Sequence, residues 1–508
     1  MPEHSMLDPQ LLYRRQYIAG PSLSPQFVMW RQIKFSEACI IGCHPELEVA
    51  EASNQQGRIV CLGHILDPLH CEQTNSQIIG NLLAAAKEFS VLEKALSIVG
   101  GRWVIFVELN GEGRVYHDAG GLKSTFWYEE PRSKDIWVAS EPSLFEDSLG
   151  ITVDERLVRE FWTTKYQNSW VCELTPYPHV RQLLPNHYLD LGRRTAHRFW
   201  PFEDVMPKKL DDAATEMADI IHGLIAAVAK RGDVALPLTG GYESRVSFAC
   251  AKELRGKLPL YLIDAPNTLY HDKLLSKQVA KKYGLEVSYL RPLPFDERFW
   301  RTLLRNTAEM YWDQGANHIY TYGQHFPNTY LLIGAMGTVA RAWYYKDGKL
   351  PKVIDPPLLA RVTSYAGNAV ALRAFEQWLS GTPSNLNVSL LDLLFWEHRQ
   401  GNWASLGATG FDTVGCETSS PYNCRKLMEI ALGVDVEYRK PPHILLRRIA
   451  ELAAGPKVLS VPINQHWLDD AIASAARYVP WRVKHWAQTE RMRRAGTPEC
   501  FLADARFF

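Results

Sequence analysis

Apolar and polar positions divide the chain into two textures. In the first, short apolar runs at 58–62, 102–109, 114–117, 136–139 and 187–191 are separated by Gly, Pro and Asn turns, the pattern of β-strands. One helix is expected among them, over 74–90: Ile78, Ile79, Leu82 and Leu83 recur at helical spacing, and Thr74 is placed to cap the N-terminus. The stretch Pro201-Phe202-Glu203-Asp204-Val205-Met206-Pro207 breaks the pattern, so a domain boundary is expected near residue 205.

After it, helices alternate with apolar strands. Residues 211–231 form an amphipathic pattern with Ala214, Met217, Ile220, Ile221, Leu224 and Val228 on one face. Strands are predicted over 234–238, 258–263, 287–290 and 330–333, and helices over 243–254 and 271–283. That alternation predicts βαβ units and a parallel sheet. Beyond residue 357 the pattern is largely helical.

The strand at 234–238 runs into Thr239-Gly240-Gly241-Tyr242-Glu243-Ser244-Arg245 at the head of a helix. Two glycines allow a sharp turn and a close approach of backbone to ligand, and hydroxyls with helix-start amides can cradle anionic oxygens. The arrangement points to nucleotide chemistry.

Composition narrows the possibilities. At 508 residues the chain exceeds one ordinary core, and 46% apolar with 22% charged residues suits a folded soluble protein. Lys plus Arg equals Asp plus Glu at 56 each, which provides no global field for a nucleic acid. The opening residues carry acid and no apolar run, and no twenty-residue apolar span follows, so neither a signal peptide nor a membrane partner is expected and the location expected is cytoplasmic. The nine cysteines lack a C-x-x-C spacing; Cys39 and Cys43 beside His44 have no second pair to complete a metal site.

The loop at 239–244 resembles the S-G-G-x-D-S motif of the ATP pyrophosphatase superfamily, and its surroundings resemble asparagine synthetase-like proteins. Asp264 ends the second strand. His271-Asp272, then Ala280-Lys281-Lys282-Tyr283-Gly284-Leu285, is similar to the helix that follows in that family. Gly334-Ala335-Met336-Gly337-Thr338-Val339-Ala340-Arg341 stands where relatives carry a second Gly-rich loop, and 421–429 resembles their late segment. Earlier, Gly100-Gly101-Arg102-Trp103, His117-Asp118-Ala119-Gly120-Gly121, Ala139-Ser140-Glu141 and Pro185-Asn186-His187 fall in the order of the family's glutaminase-type (N-terminal nucleophile, Ntn) domain.

The resemblance implies an α/β protein: an Ntn-hydrolase-like αββα domain over 1–205, then an ATP pyrophosphatase parallel-sheet domain with a helical C-terminal part over 206–508. It implies ATP and Mg2+ as cofactors, with Leu238, Thr239, Gly240, Gly241, Ser244, Arg245, Asp264, Gly334, Met336 and Gly337 around the nucleotide. Glu243 would hold the metal, and Glu243, Arg341 and Lys457 would serve catalysis, with Lys440 as another candidate lysine. The reaction implied is AMP-forming amide synthesis from a small-molecule or peptide carboxylate and an amine, through an acyl-adenylate, in a specialised biosynthetic pathway. A homodimer is compatible with the resemblance.

Three departures bear on that reading. Pro2 stands where an active glutaminase needs a cysteine with a free α-amine, and Leu62-Gly63-His64 takes the place of the glutamine-binding segment, so glutamine hydrolysis is not expected. Glu243 replaces the loop aspartate, moving the carboxylate out by one methylene. Thr338 replaces the second loop's acid. The alternative is a catalytically degenerate relative serving as a nucleotide-binding or regulatory, partner-binding subunit; a tRNA-modifying enzyme is disfavoured by the neutral charge.

Four further sets of residues have two readings each. The aromatics Tyr311, Trp312, Tyr320, Tyr322, Tyr330, Trp343, Tyr344 and Tyr345 line a substrate pocket or fill core. Glu397, His398 and Arg399 serve acid–base chemistry or a buried ion pair that organises helices. His222, His271, His318 and His325 have no paired nucleophile nearby and read as structural or exposed, and Arg491, Arg493 and Arg494 as a solvated helix face or a surface for an acidic partner.

Overall fold

Period-two alternation builds the first part of the molecule. The structure is a computed structural model that describes residues 7–162, 169–265, 270–308, 313–383 and 386–464. Its first strands are β1 (Tyr17–Gly20), β2 (Arg31–Ser36), β3 (Cys39–Cys43), β4 (Val49–Ser53), β5 (Gly57–Leu66), β6 (Gly100–Leu109), β7 (Glu112–His117), β8 (Phe126–Glu129), β9 (Ile136–Ala139), β10 (Arg181–Gln182), β11 (His187–Asp190) and β12 (Thr195–Arg198). They form two antiparallel six-stranded sheets, in the orders β10-β8-β9-β1-β3-β2 and β12-β11-β7-β6-β5-β4.

The long pair β5 and β6 shows why the layers stack. Val60, Leu62, Val104 and Phe106 point one way, where they meet Tyr17, Ala19, Ile41 and Val138 of the other sheet. Their neighbours Ile59, Cys61, Ile105 and Val107 point the other way, onto Ile78, Ile79, Leu82 and Leu83. Those four lie on helix Asn75–Ala85, whose Thr74 makes the expected cap as a full capping box with Gln77. The helix ends at Ala85 rather than near 90, because Ala86 turns extended and a second helix, Phe89–Leu96, begins. On the far side Ile18, Phe126, Tyr128 and Ala139 pack with Leu144 and Phe145 of helix Ser143–Leu149. The layers therefore run helix, sheet, sheet, helix.

The second part carries a parallel sheet of β13 (Val234–Pro237), β14 (Leu260–Ile263), β15 (Ser288–Leu290), β16 (Tyr330–Leu332) and β17 (Glu417–Ser419), ordered β15-β14-β13-β16-β17. Each pair is parallel. Strands β14 and β15 lie to one side of β13, and β16 and β17 to the other. Ligands in open α/β sheets bind where the order reverses, outside the carboxyl ends of the strands. Here that place lies between the ends of β13 and β16.

Buried polar contacts join the two parts. Arg102 on β6 donates to both oxygens of Asp412 at 2.6 and 2.7 Å. Asn423 donates to the Gly101 carbonyl at 2.6 Å and to Asp118 at 2.8 Å. One hydrophobic core runs from Leu66 and Trp103 through Leu224 and Leu238 to Met428. No helix among the described residues is long and apolar enough to cross a membrane.

Candidate functional site

The apolar run of β13 delivers the chain to the carboxyl edge of the sheet, where Leu238 is still buried. The next residues fold on themselves. Thr239 N–H donates to Ser244 Oγ at 3.1 Å, the two hydroxyls stand 2.8 Å apart, and Gly241 N–H donates to Thr239 Oγ1 at 3.0 Å. Gly240 N–H donates to Asp272 Oδ1 at 2.7 Å. Neither Gly240 nor Gly241 has a positive φ, so a left-handed turn is not what requires glycine here. Close packing is a reason at Gly241, where an added Cβ would lie 3.2 Å from Thr239 Oγ1. Gly241 also N-caps helix Tyr242–Cys250 without a side chain to accept from its first amides.

The second loop follows β16. Met336 takes a φ of 70°, and its N–H donates to Gln400 Oε1 at 2.9 Å, while Gln400 Nε2 donates to Thr338 Oγ1 at 3.0 Å. Gln400 thus fastens the loop from the helical region behind it. Glu243 lies across this loop: a Cβ on Gly334 would meet its Cβ at 3.0 Å, and one on Gly337 its Cγ at 2.9 Å. Glycine at both positions is what lets the acid pass. Its Oε1 pairs with Arg341 at 2.8 Å, both side chains being about 15% exposed. Arg341 also lies over the rings of Tyr242 and Trp343, at 5.4 and 5.1 Å. Its Nε is 3.3 Å from His443 Nε2. Burial, with Arg341 alongside, holds the His443 imidazole below its ordinary pKa, which suits a neutral acceptor facing a guanidinium.

A cavity of about 660 Å³ opens beside the two loops. Thr239, Glu243, Ser244, Gly334 and Thr338 line it near the loops, and Ile319, Tyr322, Trp403 and Phe411 line it among the helices. His318 lines it too, and burial pushes its imidazole down to about 4.

Several residues expected at the nucleotide lie elsewhere. Arg245 is wholly buried and donates to the carbonyls of Val458, Val461 and Pro462, away from the cavity; burial without a carboxylate partner lowers it to about 10. Its role in this structure is to hold residues 458–462 to the helix. Met336 is buried with its sulfur against Gly120 of the first part. Asp264 pairs with Lys273, and Lys457 sits over the Tyr283 ring at 4.9 Å. Lys440 pairs with Glu437 at 2.8 Å. Neither lysine lines the cavity.

Glu397 is buried between Arg198 and the Trp378 indole N–H, which makes it the buried ion pair of the two readings; burial raises its carboxyl, and Arg198 outweighs that and holds it below the usual range. Of the aromatics, Tyr322 lines the cavity, Tyr330 packs on His64, and Tyr345 bonds to Asp392. Pro2, Tyr311, Trp312, Arg491, Arg493, Arg494, Cys500 and the His271 side chain lie outside the described residues.

His318, expected to be structural or exposed, lines the cavity, and Gln400 and Tyr422 join the site through partners far off in the sequence. Tyr422 donates its hydroxyl to the Glu243 carbonyl at 2.6 Å across 179 positions. Only the fold brings such partners together.

The donor set does not fit the Mg2+ that the resemblance implies. Among the described residues no three His, Cys, Asp or Glu side chains gather. Each carboxylate beside the loops is already engaged: Glu243 by Arg341, Asp264 by Lys273 and Asp272 by Gly240 N–H. A hard cation needs several oxygens in near-octahedral order, and Thr338 offers a hydroxyl already bonded to Gln400.

No protein-family model matches the chain, and no curated protein matches it. Among solved structures, the chain is similar to an allosteric regulatory enzyme of purine biosynthesis, at 10% identity and a TM-score of 0.24. That match covers 56% of this chain and 62% of the other, so this chain spans less than two thirds of its length. A glutamine phosphoribosylpyrophosphate amidotransferase from B. subtilis, complexed with ADP and GMP, matches at 12% identity and a TM-score of 0.23, over 65% of this chain and 71% of that one. Likeness this loose carries no argument about fold or activity.

Proposed function

We propose that the chain binds ATP at the carboxyl edge of the parallel sheet, as a nucleotide-binding or regulatory subunit, without metal-dependent turnover. The polyphosphate would lie along Thr239–Gly241 and the start of helix Tyr242–Cys250, next to Arg341. The resemblance to the ATP pyrophosphatase loop, the strand-order reversal and the side-chain-free helix start support a nucleotide there. The observation that carries the absence of turnover is the Glu243–Arg341 pair lying over an acid-free second loop. An incoming phosphate would compete with Glu243 for the guanidinium, a charge-assisted contact that needs no metal.

A second reading, the AMP-forming amide ligase, is favoured by one feature: the cavity beside the loop has room for an acyl group. There a substrate carboxylate oxygen would attack the α-phosphorus, pyrophosphate would leave, and an amine would then displace AMP from the acyl carbon.

Two assays separate the readings. In EDTA, saturating ATP should stabilise the protein by about 2.7 kcal/mol at a hundred times Kd, and Arg341→Ala should weaken binding about tenfold. Pyrophosphate exchange with Mg2+ and a panel of carboxylates should give no signal; exchange that Glu243→Ala abolishes would establish the ligase and overturn the first reading.

A further inference from the structure

The part of the cavity among the helices has a chemistry of its own. Among the described residues no lysine or arginine lines the cavity, and its single carboxylate, Glu243, is paired with Arg341. Tyr322 and Phe411 stack there with ring centroids 5.6 Å apart, beside Trp403 and Ile319. His318 stands one helical turn before Tyr322, and its imidazole has no hydrogen-bond partner among the described residues; burial keeps it uncharged at neutral pH. An anion placed there meets no counter-charge, and an ammonium meets none that is free. Burying an unpaired charge costs several kcal/mol, whereas an aromatic ring gains by leaving water.

We infer that this inner wall binds an uncharged aromatic ligand bearing a hydroxyl or amide, which hydrogen-bonds to His318. The cavity it belongs to, about 660 Å³ in all, has room for a small organic molecule. The inference goes beyond nucleotide binding and does not depend on it, since it rests on His318, Ile319, Tyr322, Trp403 and Phe411 and not on the loop residues Thr239 and Glu243 that line the same cavity.

The test uses the full chain and 4-ethylphenol, with 4-ethylbenzoate and 4-ethylbenzylamine as its charged counterparts, read by calorimetry. Gly407 lines the cavity, and a Cβ there would meet nothing within 4 Å, so Gly407→Phe fills the space without a built-in clash. The phenol should bind at least tenfold tighter than either charged probe, and Gly407→Phe should abolish its binding. His318→Leu should weaken the phenol about fivefold while leaving ethylbenzene unchanged, the effect of one hydrogen bond. An unchanged far-ultraviolet circular dichroism spectrum and melting temperature certify each variant as folded. The inference is overturned if no phenol binds at millimolar concentration, if a charged probe matches it, or if folded Gly407→Phe still binds it. Loss of ATP binding with phenol binding intact would instead sink only the nucleotide reading.

Discussion

Arg245 shows at the scale of one residue how far a motif can diverge from its role. It follows the loop serine directly, yet its guanidinium satisfies three carbonyls more than two hundred positions away. Arg245→Met would leave those acceptors without their donor in a buried place, at a cost of about 2–4 kcal/mol. Thermal melting should register that loss while ATP affinity per folded molecule stays within about twofold. A large drop in affinity with unchanged melting would return Arg245 to the phosphates. Glu243 and Arg341 were each legible as candidates, but their pairing across 98 positions was not. Local spacing encodes the loop's shape, and which charge neutralises which is decided by chain segments that meet only in the fold.

At the scale of elements, legibility follows how strongly a segment's burial shows in its pattern. Strand β9 falls at Ile136–Ala139 as expected, and Thr74 caps its helix, because apolar alternation and a capping side chain are local signals. Strands β1 to β4, β8, β10 and β12 carry no such signal, and neither does β17, whose Glu417-Thr418-Ser419 is polar although Thr418 and Ser419 are buried. Its place at the sheet edge comes from pairing with β16, which no run of apolar residues announces. The same region holds the junction between β6 and helix Ser405–Thr413, where Arg102 and Asp412 form a fully buried pair with Lys123 at 3.3 Å. Removing one partner from such a pair is costly, so Asp412→Asn should destabilise the chain by about 3–5 kcal/mol in denaturant unfolding. A change under about 1 kcal/mol would mean that water reaches the pair.

The molecule as a whole carries histidines that burial keeps neutral, His64, His117 and His398 in the interior and His187 half-buried: His64, His117 and His187 at about 4 and His398 at about 3. In the unfolded chain each takes a proton near 6.5. Between those values the unfolded state binds more protons, so stability is complete above about pH 6.5 and falls as pH drops towards 4, by up to about 3 kcal/mol per histidine. Asp412 adds to the loss at the acid end: burial raises its carboxyl, Arg102 and Lys123 hold it below the usual range, and protonation removes the pairing. Melting temperature should therefore decline steadily from pH 7 to 4.5; a flat profile would contradict neutral burial of these groups. The central claim also concerns charge, at the point where the two loops meet. Calorimetry of ATP binding, in EDTA and in excess Mg2+, with wild type and Glu243→Gln, tests it most directly. A guanidinium freed from Glu243 should bind phosphate more tightly, so the account predicts wild-type affinity that Mg2+ changes by less than about threefold, and a tighter metal-free complex in Glu243→Gln. Binding that requires Mg2+ in wild type and disappears in Glu243→Gln would contradict it and make Glu243 a metal ligand.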